Sequence, residues 1–444
     1  MDNKYSTHKL KNGMRILFIP MEKIELMYVQ LVVNVGVDDE DVKKNLEAAH
    51  FLEHIFSTYT SKKYPDAKKV SEIFSQKGIE FNDATVNNNT SKYDLKFHKK
   101  HLDLVLDVLV NCYTNFKIDL NILEQERNSI RDEINENLDD QWIELYEMID
   151  KELYPNHNRG LSQKVNLKSV KKMSSKTLID FYKKHYIPFN TTLILAGDFD
   201  EKDCLKKIKK LFGSIPAKQC LPYNPNKNLD ISKINLGPRV LFNKKTDTNA
   251  YNLFIIFRVN GIYFGDEYFY HYTLSSLCAN SLESLFYKRL RTTEGLIYNI
   301  DYEVNLDENY PNLSNIMINT TLDEKNILKT IKIILEIFNE LKTKLISDID
   351  FKKTKNDLEM AILKDKISND PEEFINIYGR NLIFNYHIET AKSVYDRLFK
   401  ITKQDIMEGA KKTFLKENLI IAYSGKKDLV DKINNIIELS YFKK

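Results

Sequence analysis

The second half of this 444-residue chain repeats the first. The segment SSKTLIDFYKKHYIPFNTTLILAGDF, which begins at Ser174, aligns without a gap on TKQDIMEGAKKTFLKENLIIAYSGKK, which begins at Thr402. The offset is a constant 228 residues, so that Gly197 falls on Gly425. Each copy has the pattern of a helix, a short turn, an apolar strand, a glycine and another helix. This uninterrupted register favours the duplication of one α/β unit.

The repeat predicts two related domains, residues 1–215 and residues 239–444. Residues 216–238 between them hold four prolines and show little periodicity, which indicates a linker. Near the start of the chain, Asn12-Gly13 separates two alternating segments and predicts a β-hairpin. A buried strand, LMYVQLVVNVGV, and a helix from about Asp41 are expected to follow.

Composition excludes several classes of protein. Hydrophobic residues make up 42% of the chain, enough for a core in each domain. The 66 basic and 63 acidic residues nearly balance, which argues against a nucleic-acid partner. The four cysteines form no CxxC pair, and we expect free thiols. No signal or transit segment and no membrane span is recognisable, so we expect a soluble, cytoplasmic protein with no membrane partner.

The stretch HFLEH, residues 50–54, carries the most specific chemistry. On a helix, residues four apart lie only about 40° apart, so His50 and His54 can bind one ion. Glu53 projects to the other side of His50 and can reach a water on that ion without being a ligand. Two imidazoles with a carboxylate and an open position are typical of catalytic zinc. The alternative is a solvated helix face.

The duplication supplies an internal control for this triplet. The offset of 228 places Cys278, Ser281 and Leu282 opposite the motif, and the segment TLSSLCANSLESLFYKRL contains no His-Glu-His set in any register. A triplet that the fold required would be expected in both copies. Its absence from the second copy favours chemistry over structure.

A third protein ligand is expected on the segment NILEQERNSIRDEINENLDDQWIELYEMID, whose apolar residues follow helical spacing. Glu126 and Glu133 are seven residues apart, and both border the apolar stripe. Carboxylates at the edge of a buried face need a cation or several donors. A surface salt bridge is the alternative for either glutamate alone, but the HxxEH motif lacking a third ligand favours a metal site.

With these features the chain resembles the M16 peptidases, the inverzincins related to insulysin, pitrilysin and the mitochondrial processing peptidase, in their half-size branch. In that family a later helix supplies a glutamate ligand, preceded two turns earlier by a second glutamate. Here 78 residues lie between His54 and Glu133, and Glu126 precedes Glu133 by seven. The resemblance implies that His50, His54 and Glu133 bind one Zn²⁺ per chain, that Glu53 is the catalytic base, and that Glu126 supports a ligand.

The family also implies an α+β fold of two homologous α/β-roll domains, with mixed, largely antiparallel sheets, arranged as half of a clamshell. The segment KGIEFNDATVNNNTSKYDLKF resembles the edge strand that pairs with substrate, where Asn82 and Thr85 fit the pattern and Asp83 replaces alanine. A simple polar strand edge is the alternative. The segment RLRTTEGLIYNIDYEV resembles the R-x-x-x-G-L-x-Y motif, which implies that Arg291 holds the substrate backbone and Tyr298 stabilises the oxyanion.

Two positions depart from the family pattern. Glu47 and Tyr59 replace the glycines that relatives usually carry before and after the motif. We expect these departures to affect the local loop shape but not metal binding.

The resemblance implies a metalloendopeptidase that acts on short or unfolded peptides inside a chamber formed by two chains. Because this chain carries both motifs, a homodimer is self-sufficient, and a heterodimer with a related inactive chain is the alternative. A mitochondrial processing role is disfavoured by the lack of a transit peptide. The rival function is that of a non-catalytic subunit of the same fold, acting as a structural or binding protein. An unrelated helical metal-binding protein would not explain the duplicated halves.

Overall fold

The computed structural model describes residues 5–140, 142–218, 237–246, 250–261, 265–307, 311–367, 370–383, 388 and 390–441. The strands are β1 (Ser6–Lys9), β2 (Arg15–Pro20), β3 (Leu26–Val33), β4 (Glu80–Val86), β5 (Ser91–His98), β6 (Thr191–Gly197), β7 (Arg239–Lys244), β8 (Tyr251–Arg258), β9 (Asp301–Asn305), β10 (Asn315–Leu322) and β11 (Leu419–Gly425). The helices are α1 (Ala48–Ser57), α2 (Ala67–Lys77), α3 (Leu102–Thr114), α4 (Leu120–Asp139), α5 (Ile143–Leu153), α6 (Gln163–Lys172), α7 (Ser175–His185), α8 (Glu201–Leu211), α9 (Asp266–Ala279), α10 (Ile327–Thr343), α11 (Asp348–Ile367), α12 (Pro371–Ile383), α13 (Ala391–Lys400), α14 (Lys403–Thr413) and α15 (Val430–Tyr441).

The strands form two mixed sheets, one in each of two compact units. The first sheet has the order β1-β2-β6-β3-β5-β4, and the second has the order β7-β11-β8-β10-β9. Each sheet contains one parallel pair, β2 with β6 inside the first sheet and β7 with β11 at the edge of the second. The pairs β6–β3, β3–β5 and β5–β4 are antiparallel, as are β11–β8, β8–β10 and β10–β9. The predicted α+β class with mixed, largely antiparallel sheets is confirmed; the clamshell arrangement stays a prediction.

The predicted duplication is visible element by element. Helix α7 corresponds to α14, strand β6 to β11 and helix α4 to α11, each at an offset of 228 residues. Strands β3 and β5 correspond to β8 and β10 at offsets of 225 and 224. Helix α9 lies between β8 and β10 in the chain, so the offset of 228 that placed Cys278 opposite His50 does not hold there. Its sequence, DEYFYHYTLSSLCA, contains no HxxEH motif in any register.

The two halves of the chain exchange one helix each, which contiguous domains 1–215 and 239–444 did not anticipate. The first unit comprises Met1–Asp139, His157–Asn224 and Ser368–Thr390; the second comprises Asp140–Asn156, Pro225–Ile367 and Ala391–Lys444. The single long helix expected around Glu133 is in fact two, α4 and α5, because the chain leaves the first unit between them. Most of the expected linker, residues 216–238, lies outside the described residues.

Apolar packing explains the exchange. Helix α5 has Leu145, Ile149 and Leu153 on one face, and these side chains pack against β8 and β11. In the first unit, α12 packs against β2, β3 and β6 through Ile375 and other apolar residues. The other face of β2, β3 and β6 packs against the main core of the first unit, and the other face of β8 and β11 packs against the main core of the second. These strands are apolar on both faces, and a helix on one side and the main core on the other bury both faces.

Candidate metal centre

Helix α1 places the HxxEH residues at the boundary of the core of the first unit. Its apolar residues are buried; they are Ala48, Ala49, Phe51, Leu52, Ile55 and Phe56. The remaining face carries His50, Glu53 and His54, whose side chains are 30%, 14% and 16% exposed. The helix expected from about Asp41 begins only at Ala48, after a residue with left-handed backbone. Amphipathic spacing therefore directs all three polar groups to one half-buried surface.

Each histidine of the motif has a carboxylate on its Nδ1 atom. The distance from His50 Nδ1 to Glu47 Oε2 is 2.9 Å, and that from His54 Nδ1 to Glu126 Oε2 is also 2.9 Å. An ionised carboxylate only accepts hydrogen bonds, so both Nδ1 atoms carry the donated proton. In the neutral imidazoles, both Nε2 atoms then have a free lone pair. This is the tautomer that a metal ligand needs.

Helix α4 brings the carboxylate of Glu133 to these Nε2 atoms. Glu133 Oε2 is 3.3 Å from His50 Nε2, and Glu133 Oε1 is 3.6 Å from His54 Nε2. At zinc–ligand distances of about 2.0–2.2 Å, two tetrahedral ligand atoms lie about 3.3–3.6 Å apart. One oxygen of Glu133 thus approaches each Nε2 atom at a separation that two zinc ligands can have, and the role of Glu133 as the third ligand stays a prediction.

Glu53 is the second carboxylate near the imidazoles. Ligand atoms of His50, Glu53 and His54 lie within 4.8 Å of one another, and Glu53 Oε2 is 3.6 Å from His54 Nε2. Glu133 approaches both Nε2 atoms from a separate helix, whereas Glu53 shares the helix of the histidines, so the predicted division into a ligand and a base stays a prediction. Burial raises the pKa of Glu53, partly opposed by the neighbouring His54 and His50. A carboxylate with a raised pKa is a stronger base.

The pKa of His50 reflects its acidic surroundings. Burial acts to lower this pKa, but the hydrogen bond to Glu47 and the charges of Glu47, Glu53 and Glu133 raise it above the ordinary value. Without a cation, the carboxylates therefore favour the protonated imidazolium. A divalent cation would offset the same negative charge.

Glu40 fixes the start of α1 and was not anticipated from the sequence. Its Oε2 accepts the backbone N–H of Glu47 at 2.9 Å, and its Oε1 accepts that of Ala49 at 2.8 Å. Burial raises the pKa of Glu40 well above its ordinary value. A carboxylate at a helix N-terminus satisfies donors that the helix leaves unpaired. The acidic run before the motif was a usable signal for this role.

Glu47 and Tyr59, the two departures from the family pattern, both have left-handed backbone, with φ of 73° and 51°. This is the conformation for which glycine is the default residue. A side chain there costs roughly 1–2 kcal/mol. The loops on both sides of α1 thus have a backbone suited to glycine, although neither residue is glycine.

Strand β4, which holds Asn82 and Thr85, lies at the edge of the first sheet, and the register shifts between these two residues. Thr85 is exposed, and the side chain of Asn82 lies outside the described residues. An open edge can accept an added strand. Their role in substrate binding stays a prediction.

Arg291 and Tyr298 lie together in the second unit. The Arg291 guanidinium is 4.8 Å from the centre of the Tyr298 ring, a cation–π distance. Arg291 belongs to a π-helical segment, Tyr287–Thr293, and Tyr298 is 77% exposed. An aromatic side chain so exposed is available to a ligand or partner. The roles predicted for the pair stay predictions.

Both halves of the chain match known protein families. Residues 16–164 match the model described as Insulinase (Peptidase family M16), and residues 172–358 match the model described as Peptidase M16 inactive domain. The chain belongs to peptidase family M16. Among relatives, the "Uncharacterized zinc protease YmxG" of Bacillus subtilis is 25% identical over 291 residues, which cover 65% of this chain and 68% of the relative.

A second relative is the mitochondrial-processing peptidase subunit beta of Saccharomyces cerevisiae, 23% identical over 421 residues, which cover 90% of this chain and 87% of that protein. A protease from Helicobacter pylori has a similar fold, with a TM-score of 0.83 at 17% identity, covering 95% of this chain and 99% of its own. Both halves of the chain thus agree with M16 peptidases.

In this M16 chain, the second unit lacks the ligand set among its described residues. Because α11 repeats α4 at an offset of 228, Thr354 and Ala361 occupy the positions of Glu126 and Glu133. The cysteines described, Cys112, Cys204 and Cys278, are free and buried. In the part of the chain that is described, no helix has the length and apolar character to cross a membrane.

Proposed function

We propose that this chain is a zinc-dependent endopeptidase that hydrolyses short or unfolded peptides. The observation that carries the proposal is the position of the Glu133 carboxylate, 3.3 and 3.6 Å from the Nε2 atoms of His50 and His54. Both Nδ1 atoms are already hydrogen-bonded to carboxylates. The names of the zinc protease relatives support the same class.

A zinc ion held by His50, His54 and Glu133 would polarise the peptide carbonyl and acidify a water molecule. Glu53 accepts the proton of the attacking water as the tetrahedral intermediate forms, and then delivers this proton to the leaving amine. Its raised pKa suits both steps, since the group must be a base first and an acid afterwards.

The chamber is proposed to consist of two chains. In a homodimer, Arg291 from one copy would hold the substrate backbone, and the Tyr298 hydroxyl would donate a hydrogen bond to the oxyanion in the site of the other copy. Strand β4 would pair with the extended peptide through its main chain, which makes recognition insensitive to side chains. A heterodimer with a related inactive chain is the alternative assembly.

Glu53→Gln tests the catalytic role. This variant keeps the shape of the side chain but cannot accept a proton, so we expect about one zinc per chain and hydrolysis of a fluorogenic peptide reduced at least about 1000-fold. Metal content and turnover are measured on the same preparations. Zinc far below one equivalent in the wild type, with no cleavage, would refute the proposal and favour a non-catalytic subunit. A Glu53→Gln variant that still cleaves would refute the role of Glu53 alone.

A further inference from the structure

Glu47 contacts the candidate metal ligand His50 directly. Its Oε2 accepts a hydrogen bond from His50 Nδ1 at 2.9 Å, and its side chain is only 12% exposed. The contact equals in length that of His54 with Glu126. The two carboxylates approach from different elements, since Glu47 immediately precedes α1 and Glu126 belongs to α4.

Two features of Glu47 are unfavourable for a purely structural residue. Its φ of 73° is a conformation that L side chains rarely adopt and that glycine adopts freely. Its charge also acts on the carboxylate of Glu40, to which its own backbone N–H is bonded. A residue with such a backbone conformation persists where the surroundings or the function require it.

The hydrogen bond explains what the side chain gains from this position. His50 can coordinate a metal through Nε2 only if its proton stays on Nδ1 and its ring keeps one orientation. A glycine at position 47 would leave Nδ1 without this acceptor. The left-handed backbone brings the carboxylate back over the first turn of α1, three residues before the histidine that it contacts.

We propose that Glu47 is a positioning residue for zinc, fixing the tautomer and ring orientation of His50 as Glu126 does for His54. The inference rests on the proposed function, since it takes His50 as a zinc ligand. Each motif histidine then has its own carboxylate on Nδ1, and the site has two supporting carboxylates.

Zinc affinity and apo-protein stability, measured together, separate positioning from structure. The metal-stripped chain is titrated with zinc against a chromogenic chelator, and the melting temperature of the metal-free protein is measured by calorimetry. Glu47→Gly removes the carboxylate and relieves the backbone, so zinc binding weakens about 10- to 100-fold while the melting temperature does not fall. Glu47→Gln keeps an acceptor oxygen without the charge, and its affinity lies between those of Glu47→Gly and the wild type.

Lys23 offers the matched control. It has φ of 64° and an exposed side chain, so Lys23→Gly relieves the same kind of backbone strain away from the candidate site. This variant keeps wild-type zinc affinity. If Glu47→Gly and Glu47→Gln both bind zinc within threefold of the wild type, the positioning role of Glu47 is overturned and the proposed function stands. A wild-type chain that binds no zinc overturns both.

Discussion

Ile375 tests whether the exchanged helix α12 stabilises the first sheet. The side chain is 1% exposed and belongs to the apolar cluster that covers β2, β3 and β6. Ile375→Ala removes three buried carbons, each contributing about 0.8 kcal/mol. With the cavity term, the expected loss of stability is about 2–4 kcal/mol. The neighbouring Gly379 leaves little room for repacking, because a Cβ there would lie 2.6 Å from Ile194 Cδ1.

Hydrogen exchange resolved by segment is the appropriate assay, since a chain of two units need not unfold in one step. We expect amides of β2, β3 and β6 that exchange through opening of the first sheet to exchange about 30- to 1000-fold faster. Ile149→Ala in α5 is the matched control, with equal burial and residue type, and should act on β8 and β11 instead. If Ile375→Ala accelerates hydrogen exchange in β8 and β11 alone, α12 does not stabilise the first sheet and the reasoning is refuted.

Three predictions concern the candidate site. Glu126→Gln should weaken zinc binding about 10- to 100-fold, measured by chelator competition; unchanged affinity would contradict support of His54 by Glu126. The pKa of His50 is raised, so protons compete with zinc for this imidazole below that pKa. Zinc affinity should therefore fall about tenfold for each pH unit below the pKa. A zinc affinity that stays constant between about pH 8 and pH 5 would contradict this expected decrease. Mixing Glu53→Gln and Tyr298→Phe chains should restore up to about a quarter of the active sites if Tyr298 acts in the site of its partner; no recovery despite subunit exchange would exclude that assembly.

The sequence was informative wherever a local pattern determined the structure. The offset of 228 predicted α7, β6, α14 and β11 because periodicity and turn chemistry act within a few residues. The motif predicted that His50 and His54 share a helix face for the same reason. Glu133 could be predicted from its spacing to His54 and from the resemblance of the sequence to the M16 family.

Contacts between distant segments were harder to predict. The helix around Glu133 breaks because α4 and α5 cover different sheets, and an apolar stripe does not indicate which sheet it will cover. Glu40 and Glu47 were missed as site-building residues for a related reason. Their roles depend on the left-handed turn before α1, and a glutamate in the position of a glycine does not itself predict that conformation.

The duplicated unit shows why the acidic residues around α1 call for a function. The second copy keeps the equivalent of α4 but has Thr354 and Ala361 where the first has Glu126 and Glu133. Thr354 is 1% exposed and donates its hydroxyl proton to the Asp350 backbone carbonyl, so this position accommodates a neutral residue. The first copy instead concentrates four glutamates around two imidazoles, and a bound cation would offset their negative charge. A fold that does without those charges in one half has no structural need of them in the other, and the divalent ion proposed to bind between α1 and α4 would account for their presence.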